Sequence, residues 1–170
     1  METAFAHILT NSYKAEMISS MQAHPEYFDE AISLAVSNKQ PYAWRAAWLL
    51  WSCMAENDQR IQKQIGKIVS SIQAKNDSHQ RELLKILLQM ELSEKHEVFL
   101  LDSCIKIWEG TNKKPSVRFT AFKMMVKIAK KHPDLHNEVA LLTEDQYMNS
   151  FSAAAKKSIR NRISETKRIN

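Results

Sequence analysis

The feature that most constrains this chain is its near absence of turn-forming residues, because 170 residues contain only two Gly and four Pro. A β-rich or doubly wound fold needs a turn about every ten residues, and such turns commonly use Gly, Asn-Gly or Pro-Gly. Long helices with short connections remain. The 44% hydrophobic and 25% charged residues are typical of a globular chain, and the length suits one domain. We therefore predict one all-α domain over residues 1–170.

Residues that favour helix starts precede most of the amphipathic stretches. These signals are Pro25, Pro41, Asn57-Asp58, Asn76-Asp77-Ser78, Ser93 and Pro115-Ser116. Side-chain oxygens there accept hydrogen bonds from free amides of the first turn, and Pro lacks the amide that would go unused. The sequence predicts a helix after each signal, one of them running through residues 60–73.

The helices recur at a regular interval. Four aliphatic residues mark it, with separations of 36, 37 and 37: Ile32, Ile68, Ile105 and Leu142. Thirteen residues after the first three stand Arg45, Arg81 and Arg118, and the fourth copy has Lys156 one residue late. A helix pair cannot bury its apolar face alone, so the pairs are expected to stack on their neighbours.

The beginning of the second helix in two copies resembles the HEAT and armadillo repeat families. Trp44-Arg45-Ala46-Ala47-Trp48 and Val117-Arg118-Phe119-Thr120-Ala121 both place an Arg after a hydrophobic residue, as a second HEAT helix does. The resemblance covers residues 25–164. It implies a right-handed α-solenoid of about four helix pairs, in which the second helices line the concave side.

The repeat sets the predicted organisation of the chain. We expect an N-terminal cap of one or two helices at residues 1–24 and a basic tail at residues 165–170. The helix pairs between them are predicted at residues 25–57, 58–92, 93–132 and 133–164.

Positive charge is concentrated near the C-terminus. Residues 1–150 carry 18 basic and 18 acidic side chains, so the net charge of +5 arises from residues 151–170. A second concentration, residues 110–131, holds seven basic residues and no acidic one. Because both segments contain second helices of adjacent pairs, we predict that Lys123 and Lys127 merge with Lys156 and Arg160 into one basic patch.

The recurring arginines and the tryptophans each have two interpretations. Arg45, Arg81 and Arg118 either bridge carbonyls or carboxylates of the adjoining pair or form a ladder of positive charge on the concave side. Trp44, Trp48 and Trp51 share one helical face. That spacing favours packing between repeats, and a ligand-stacking or base-stacking surface is the alternative.

These features predict a non-catalytic interaction module that binds an acidic protein or peptide through its second helices. The residues expected to contact the partner are Arg45, Arg81, Arg118, Lys123, Lys127, Lys156, Arg160 and Trp44. The alternative is binding of a nucleic-acid backbone by the basic C-terminal half. HEAT-like DNA glycosylases supply a precedent for duplex binding, but their catalytic residues have no matching positions here.

Enzymatic signals are poor. With Gly66 and Gly110 as the only glycines, the chain has no phosphate-binding loop and no nucleophile elbow. His132 and His136 have metal-ligand spacing, but Pro133 interrupts the helix that would align them. We expect no metal and no cofactor.

A cytoplasmic location is expected. Cys53 and Cys104 lie in apolar runs, where a free thiol behaves as a buried hydrophobe. The N-terminus lacks the pattern of an export signal, and the longest apolar stretch is about half a membrane span.

Overall fold

The computed structural model describes residues 2–167, and every regular element within them is helical. This confirms the predicted all-α class. The last three residues of the predicted basic tail, including Arg168, lie outside the described residues. By compactness the chain forms two units, one ending at Leu92 and one beginning at Ser93. No helix in residues 2–167 is long and apolar enough to cross a membrane.

The described part of the first unit, residues 2–92, consists of seven α-helices and one 3-10 turn. The helices are α1 (Ala4–Asn11), α2 (Lys14–Ala23), α3 (Tyr27–Val36), α4 (Tyr42–Cys53), α5 (Gln59–Gln62), α6 (Ile65–Ser71) and α7 (Asp77–Leu88). The turn, Ile72–Ala74, precedes α7. Helices α1 and α2 lie in the predicted cap. Helix α4 packs against α3 on one side and α7 on another, and α1 and α2 also contact it.

The sequence of α4 explains its central position. Ala43, Ala46 and Ala47 are completely buried together with Leu49 and Leu50. Small side chains let neighbouring helices approach closely, and the two leucines bury large apolar areas. Helix α4 therefore forms the core of the first unit.

The predicted helix over residues 60–73 is wrong in detail, because it is interrupted between α5 and α6. Asp58 caps α5 by accepting a hydrogen bond from the backbone N–H of Arg60 at 3.0 Å. At the interruption, the N–H of Gln64 bonds to the carbonyl of Ile61 at 2.8 Å, which is a tighter turn than an α-helix makes. Gly66, the second residue of α6, has low helix propensity, and this favours a helix boundary nearby.

Residues 93–167 of the second unit contain five α-helices and a 3-10 turn at Pro133–Leu135. The helices are α8 (Glu94–Glu109), α9 (Pro115–Lys131), α10 (His136–Leu141), α11 (Asp145–Met148) and α12 (Ala153–Thr166). Helix α9 contacts α8, α10 and α12, and is therefore the centre of this unit. The first half of the fourth predicted pair is not one helix but the 3-10 turn followed by α10 and α11.

Trp108 anchors the core of the second unit. Its side chain is completely buried, with ring centroids 4.9 Å from Phe122 and 5.2 Å from Phe151. Its indole N–H donates to the carbonyl oxygen of Leu142 at 2.8 Å. This contact joins the end of α8 to the chain that follows α10, and it satisfies the only polar atom of the side chain.

Candidate functional site

Helix α9 is buried around most of its circumference and presents one basic stripe. Phe119, Lys123 and Lys127 are partly exposed, Lys130 is exposed, and the residues between them are buried. Residues three and four apart share one face of a helix. The buried faces hold the unit together, so the stripe is the part of α9 available to a partner.

One residue of α12 joins this stripe. The Nζ atom of Lys123 and the Cζ atom of Arg162 lie 4.8 and 5.7 Å from the centroid of the Phe119 ring. Lys130 Nζ is 3.1 Å from a carboxylate oxygen of Glu165, one turn further along α12. We call Phe119, Lys123, Lys127, Lys130 and Arg162 the α9–α12 basic surface.

One nitrogen of the Arg162 guanidinium makes no hydrogen bond within the described residues. This atom, Nε, is buried. The nearby carboxylate of Glu165 pairs with Lys130 instead. A guanidinium held against an aromatic ring keeps its charge and its planar donor fork, and that fork matches a carboxylate or a phosphate.

Arg160 and Lys156 lie on another side of α12. Arg160 Nη2 is 3.3 Å from Asp145 Oδ1 on α11, whereas Arg162 lies against α9. At 100° per residue, Arg160 and Arg162 are separated by about 200° around the helix axis. Lys156, one turn before Arg160, shares the Arg160 side. The predicted merging of Lys123 and Lys127 with Lys156 and Arg160 therefore does not fit this geometry.

Arg162 is not among the partner-binding residues predicted from the sequence. The buried residues of α12 are Ile159, Ile163 and Thr166. Arg162 flanks this apolar face on one side and Arg160 flanks it on the other. A helical wheel drawn around the apolar face separates the two arginines, but only tertiary contacts show which side adjoins α9.

The prediction that Arg118 contacts a partner is wrong, because its side chain is completely buried. Its guanidinium donates to the carbonyl of Trp108 at 2.7 Å, to Ser150 Oγ at 2.6 Å and to the carbonyl of Tyr147 at 2.6 Å. It also stacks on Trp108 and Phe151, with Cζ 4.9 and 4.8 Å from the ring centroids. Burial lowers the pKa of this guanidinium. These contacts match the bridging interpretation of the arginine row.

Arg45 and Arg81 are also engaged internally. Arg45 Nη1 donates to the carbonyl of Leu9 at 2.7 Å, which ties α4 to α1. Arg81 lies 2.7 Å from the carboxylate of Glu82, a residue with no exposed surface. The indole N–H of Trp51 donates to the same carboxylate, so Glu82 joins α7 to α4. Both arginines are partly exposed, unlike Arg118.

The tryptophans of α4 are not core residues. Trp44, Trp48 and Trp51 are all partly exposed. Lys14 Nζ lies 4.8 Å from the Trp48 ring centroid, and Lys85 Nζ lies 4.4 Å from that of Trp51. Trp44 has Arg45 beside it, with Cζ at 5.5 Å. Trp48 and Trp51 thus contact the neighbouring helices α2 and α7 through cation–π pairs, which agrees with the favoured interpretation of packing between repeats.

Burial shifts the pKa of three reactive side chains, Cys53, Cys104 and His79. Burial raises the pKa of the Cys53 and Cys104 thiols, which opposes formation of the nucleophilic thiolate. Burial lowers the pKa of His79, whose ring bonds to the carbonyl of Ala35 at 2.6 Å. Across residues 2–167 no group of three His, Cys, Asp or Glu side chains is placed to hold a metal ion.

Comparisons with known proteins agree with this helical arrangement. A family model described as a HEAT repeat domain matches residues 2–167. No curated protein and no solved structure matches the chain.

Proposed function

Because this chain belongs to the HEAT repeat family, whose domains typically mediate protein interactions, we propose that it is a non-catalytic scaffold for an acidic protein segment. The proposed contact is the α9–α12 basic surface. The observation that carries the proposal is the convergence of Lys123 and Arg162 on the Phe119 ring.

Electrostatics favour an acidic occupant. Lys123 and Arg162 repel each other, and a carboxylate between them relieves this repulsion while accepting charge-assisted hydrogen bonds. Phe119 supplies an apolar, electron-rich face that holds both cations near the surface rather than in bulk solvent. The aliphatic stems of the lysines add apolar area for the backbone of a peptide.

A short acidic peptide fits this surface better than a nucleic-acid duplex does. From Lys123 to Lys130 the stripe extends about 10 Å along α9, given a rise of 1.5 Å per residue. Such a stripe contacts only a few phosphates of a duplex, and affinity for nucleic acid depends on the number of phosphates neutralised.

The test uses charge reversal on two sides of α12. We expect Lys123→Glu combined with Arg162→Glu to weaken binding of a fluorescently labelled Asp- and Glu-rich peptide by about tenfold or more. The matched control is Lys156→Glu combined with Arg160→Glu, which changes charge equally on the other side of α12. We expect this control to change the affinity by less than about twofold.

Fluorescence anisotropy measures both affinities, and circular dichroism checks that each variant remains helical. A peptide in which Gln and Asn replace the acidic residues should not bind. An equal loss of peptide affinity in the two double variants would contradict the proposed surface. It would indicate that Lys156 and Arg160 also contact the peptide.

A further inference from the structure

The second unit also contains a pocket that the proposed function does not use. It lies where α8 and the end of α9 meet the turn at Pro133–Leu135, and its volume is about 200 Å³. The pocket is lined by Glu94, Glu97, Val98, Leu101, Ile128, His132, Asp134 and Leu135. Four of these eight residues are aliphatic, and four are ionisable.

The apolar part of the pocket is open to solvent. Val98 is 67% exposed, an unusual value for a valine on a helix that packs against the core. Leu101 and Leu135 are partly exposed, and Ile128 forms the buried floor. A volume of 200 Å³ is smaller than the roughly 300–1,000 Å³ of sites for drug-sized ligands. It suits one or two aliphatic side chains of a partner.

The rim of the pocket is acidic. Glu94 and Asp134 are exposed at its edge. Glu97 is buried, and its two carboxylate oxygens accept from Lys131 Nζ at 2.8 Å and pair with His132 Nε2 at 2.7 Å. Burial alone would raise the pKa of Glu97, but these hydrogen bonds hold it below its ordinary value, so the carboxylate stays charged.

The contacts of Glu97 decide which charges remain for a partner. Lys131 and the His132 ring lie beside the pocket, and both contact the Glu97 carboxylate. Glu94 and Asp134 therefore dominate the field at the rim. An apolar floor with an acidic rim is complementary to a basic segment that carries an aliphatic anchor.

We propose that this pocket binds a basic partner segment, which inserts an aliphatic side chain between Val98 and Leu135 and places Lys or Arg side chains against Glu94 and Asp134. We call it the α8 pocket. Its partner has the opposite charge to the partner of the α9–α12 basic surface, and the two sites share no residue. The proposal therefore does not depend on the proposed function.

Four labelled peptides of equal length test the two parts of this recognition. They combine a central Leu or Ala with flanking Lys or Gln residues, and each is titrated into the full chain. We expect the Lys-Leu peptide to bind about tenfold more tightly than the Lys-Ala and Gln-Leu peptides. Equal binding of the Leu and Ala peptides, or no binding of any peptide below about 1 mM, would overturn the proposal.

Variants then locate the binding. Val98→Ser removes exposed apolar surface without disturbing the core and should weaken the Lys-Leu peptide about fivefold. Glu94→Lys combined with Asp134→Lys should weaken it by a similar factor. The matched control is Glu109→Lys on the same helix, about 18 Å from Glu97 along the α8 axis, and should leave the affinity unchanged.

Sedimentation velocity of the full chain distinguishes a competing occupant. We expect no self-association that depends on Val98. Concentration-dependent dimers that Val98→Ser abolishes would assign the pocket to a second copy of the chain and overturn the proposal of a basic partner segment. Retained binding of the Lys-Leu peptide by all pocket variants would also overturn the proposal of a basic partner segment, because the peptide would then bind elsewhere.

Discussion

Arg118 illustrates how one position of a helical repeat acquires a structural role. The equivalent Arg45 is partly exposed and donates one bond to a backbone carbonyl, whereas Arg118 is enclosed and donates three. Two of the Arg118 acceptors, at Ser150 and Tyr147, are 32 and 29 residues away in sequence. A buried cation with all its bonds made holds distant segments together, but a buried cation that loses them is costly.

Replacing Arg118 should therefore destabilise the second unit strongly. We expect Arg118→Ala to lower the free energy of unfolding by about 3–5 kcal/mol, because it leaves buried acceptors unpaired and creates a cavity. Arg118→Lys should be intermediate, since an ammonium cannot reproduce the planar donor fork. Urea unfolding followed by circular dichroism measures the change.

Arg160→Ala is the control for Arg118, because Arg160 forms only an exposed ion pair with Asp145. Its expected effect is below about 0.5 kcal/mol. A change of less than about 1 kcal/mol for Arg118→Ala would contradict the structural role.

His79 gives the first unit a defined pH dependence. Its completely buried ring bonds to the carbonyl of Ala35 at 2.6 Å and to the Gln40 amide at 3.1 Å, which satisfies both nitrogens of a neutral imidazole. Burial lowers its pKa below the ordinary value of 6.5. As the pH falls through that value, the unfolded chain binds a proton that the folded chain does not. Protonation therefore favours unfolding.

We expect the free energy of unfolding to decrease as the pH falls below about 6.5, by at most about 1.4 kcal/mol per pH unit from this residue. Urea unfolding at several pH values between 5 and 7.5 measures the slope. In His79→Gln the slope should be smaller over this range. Asp58, whose pKa Arg60 lowers to about 2, affects stability only below its ordinary value of 3.8, outside this window. An unchanged slope in His79→Gln would refute the assignment.

At the scale of the helices, α4 and α9 follow the same design. Each is the second helix of a pair, each is buried on most sides, and each leaves one stripe partly exposed. The stripe of α4 carries tryptophans and that of α9 carries Phe119 and lysines. Neighbouring helices cover the rest of such a helix. Residues on the uncovered stripe are not needed for packing, so they can contact a partner.

The joints between helices also carry stability, and Asn57 is the clearest case. It has a left-handed backbone with φ of 50°. Its side-chain oxygen accepts from Gln62 Nε2 at 2.5 Å and from the backbone N–H of Glu91 at 3.2 Å. Its own N–H donates to the carbonyl of Gln89 at 2.8 Å. The joint between α4 and α5 is thereby fastened to the segment that follows α7.

Substitutions at Asn57 should separate backbone strain from lost hydrogen bonds. We expect Asn57→Ala to cost about 2 kcal/mol in free energy of unfolding, and Asn57→Gly about 1 kcal/mol, because Gly tolerates the backbone but loses the side-chain bonds. Asn57→Asp keeps the acceptor and should be the mildest of the three. Thermal and urea unfolding check the order, and an Ala variant as stable as the Asp variant would contradict it.

For the whole molecule, the distribution of charge matters more than its total. The net charge of +5 arises from the C-terminal twenty residues, yet tertiary contacts place Arg160 and Arg162 of that segment on two sides of α12. A surface with Lys123, Lys127, Lys130 and Arg162 neutralises about four phosphates at most, so salt dependence distinguishes an acidic protein partner from nucleic acid.

We expect duplex DNA to bind weakly, with the logarithm of its affinity falling against the logarithm of salt concentration by a slope no steeper than about −3.6. The acidic peptide should remain bound at about 150 mM salt. Anisotropy titrations at several salt concentrations give both results. A steeper slope with tight DNA binding would favour the nucleic-acid alternative over the scaffold.

The amino-acid sequence by itself determined the helical class, the interval between helix pairs and the HEAT relationship, because these depend on local propensity and on apolar periodicity along one helix. The interruption between α5 and α6 could not be predicted from the sequence, since the apolar periodicity continues across it. Tertiary structure decided that Arg118 is enclosed while Arg45 is not, and that Arg162 rather than Arg160 adjoins α9. Those outcomes depend on residues about thirty to forty positions away that cover one flank of a helix and leave the other to solvent, which periodicity within a single helix does not encode.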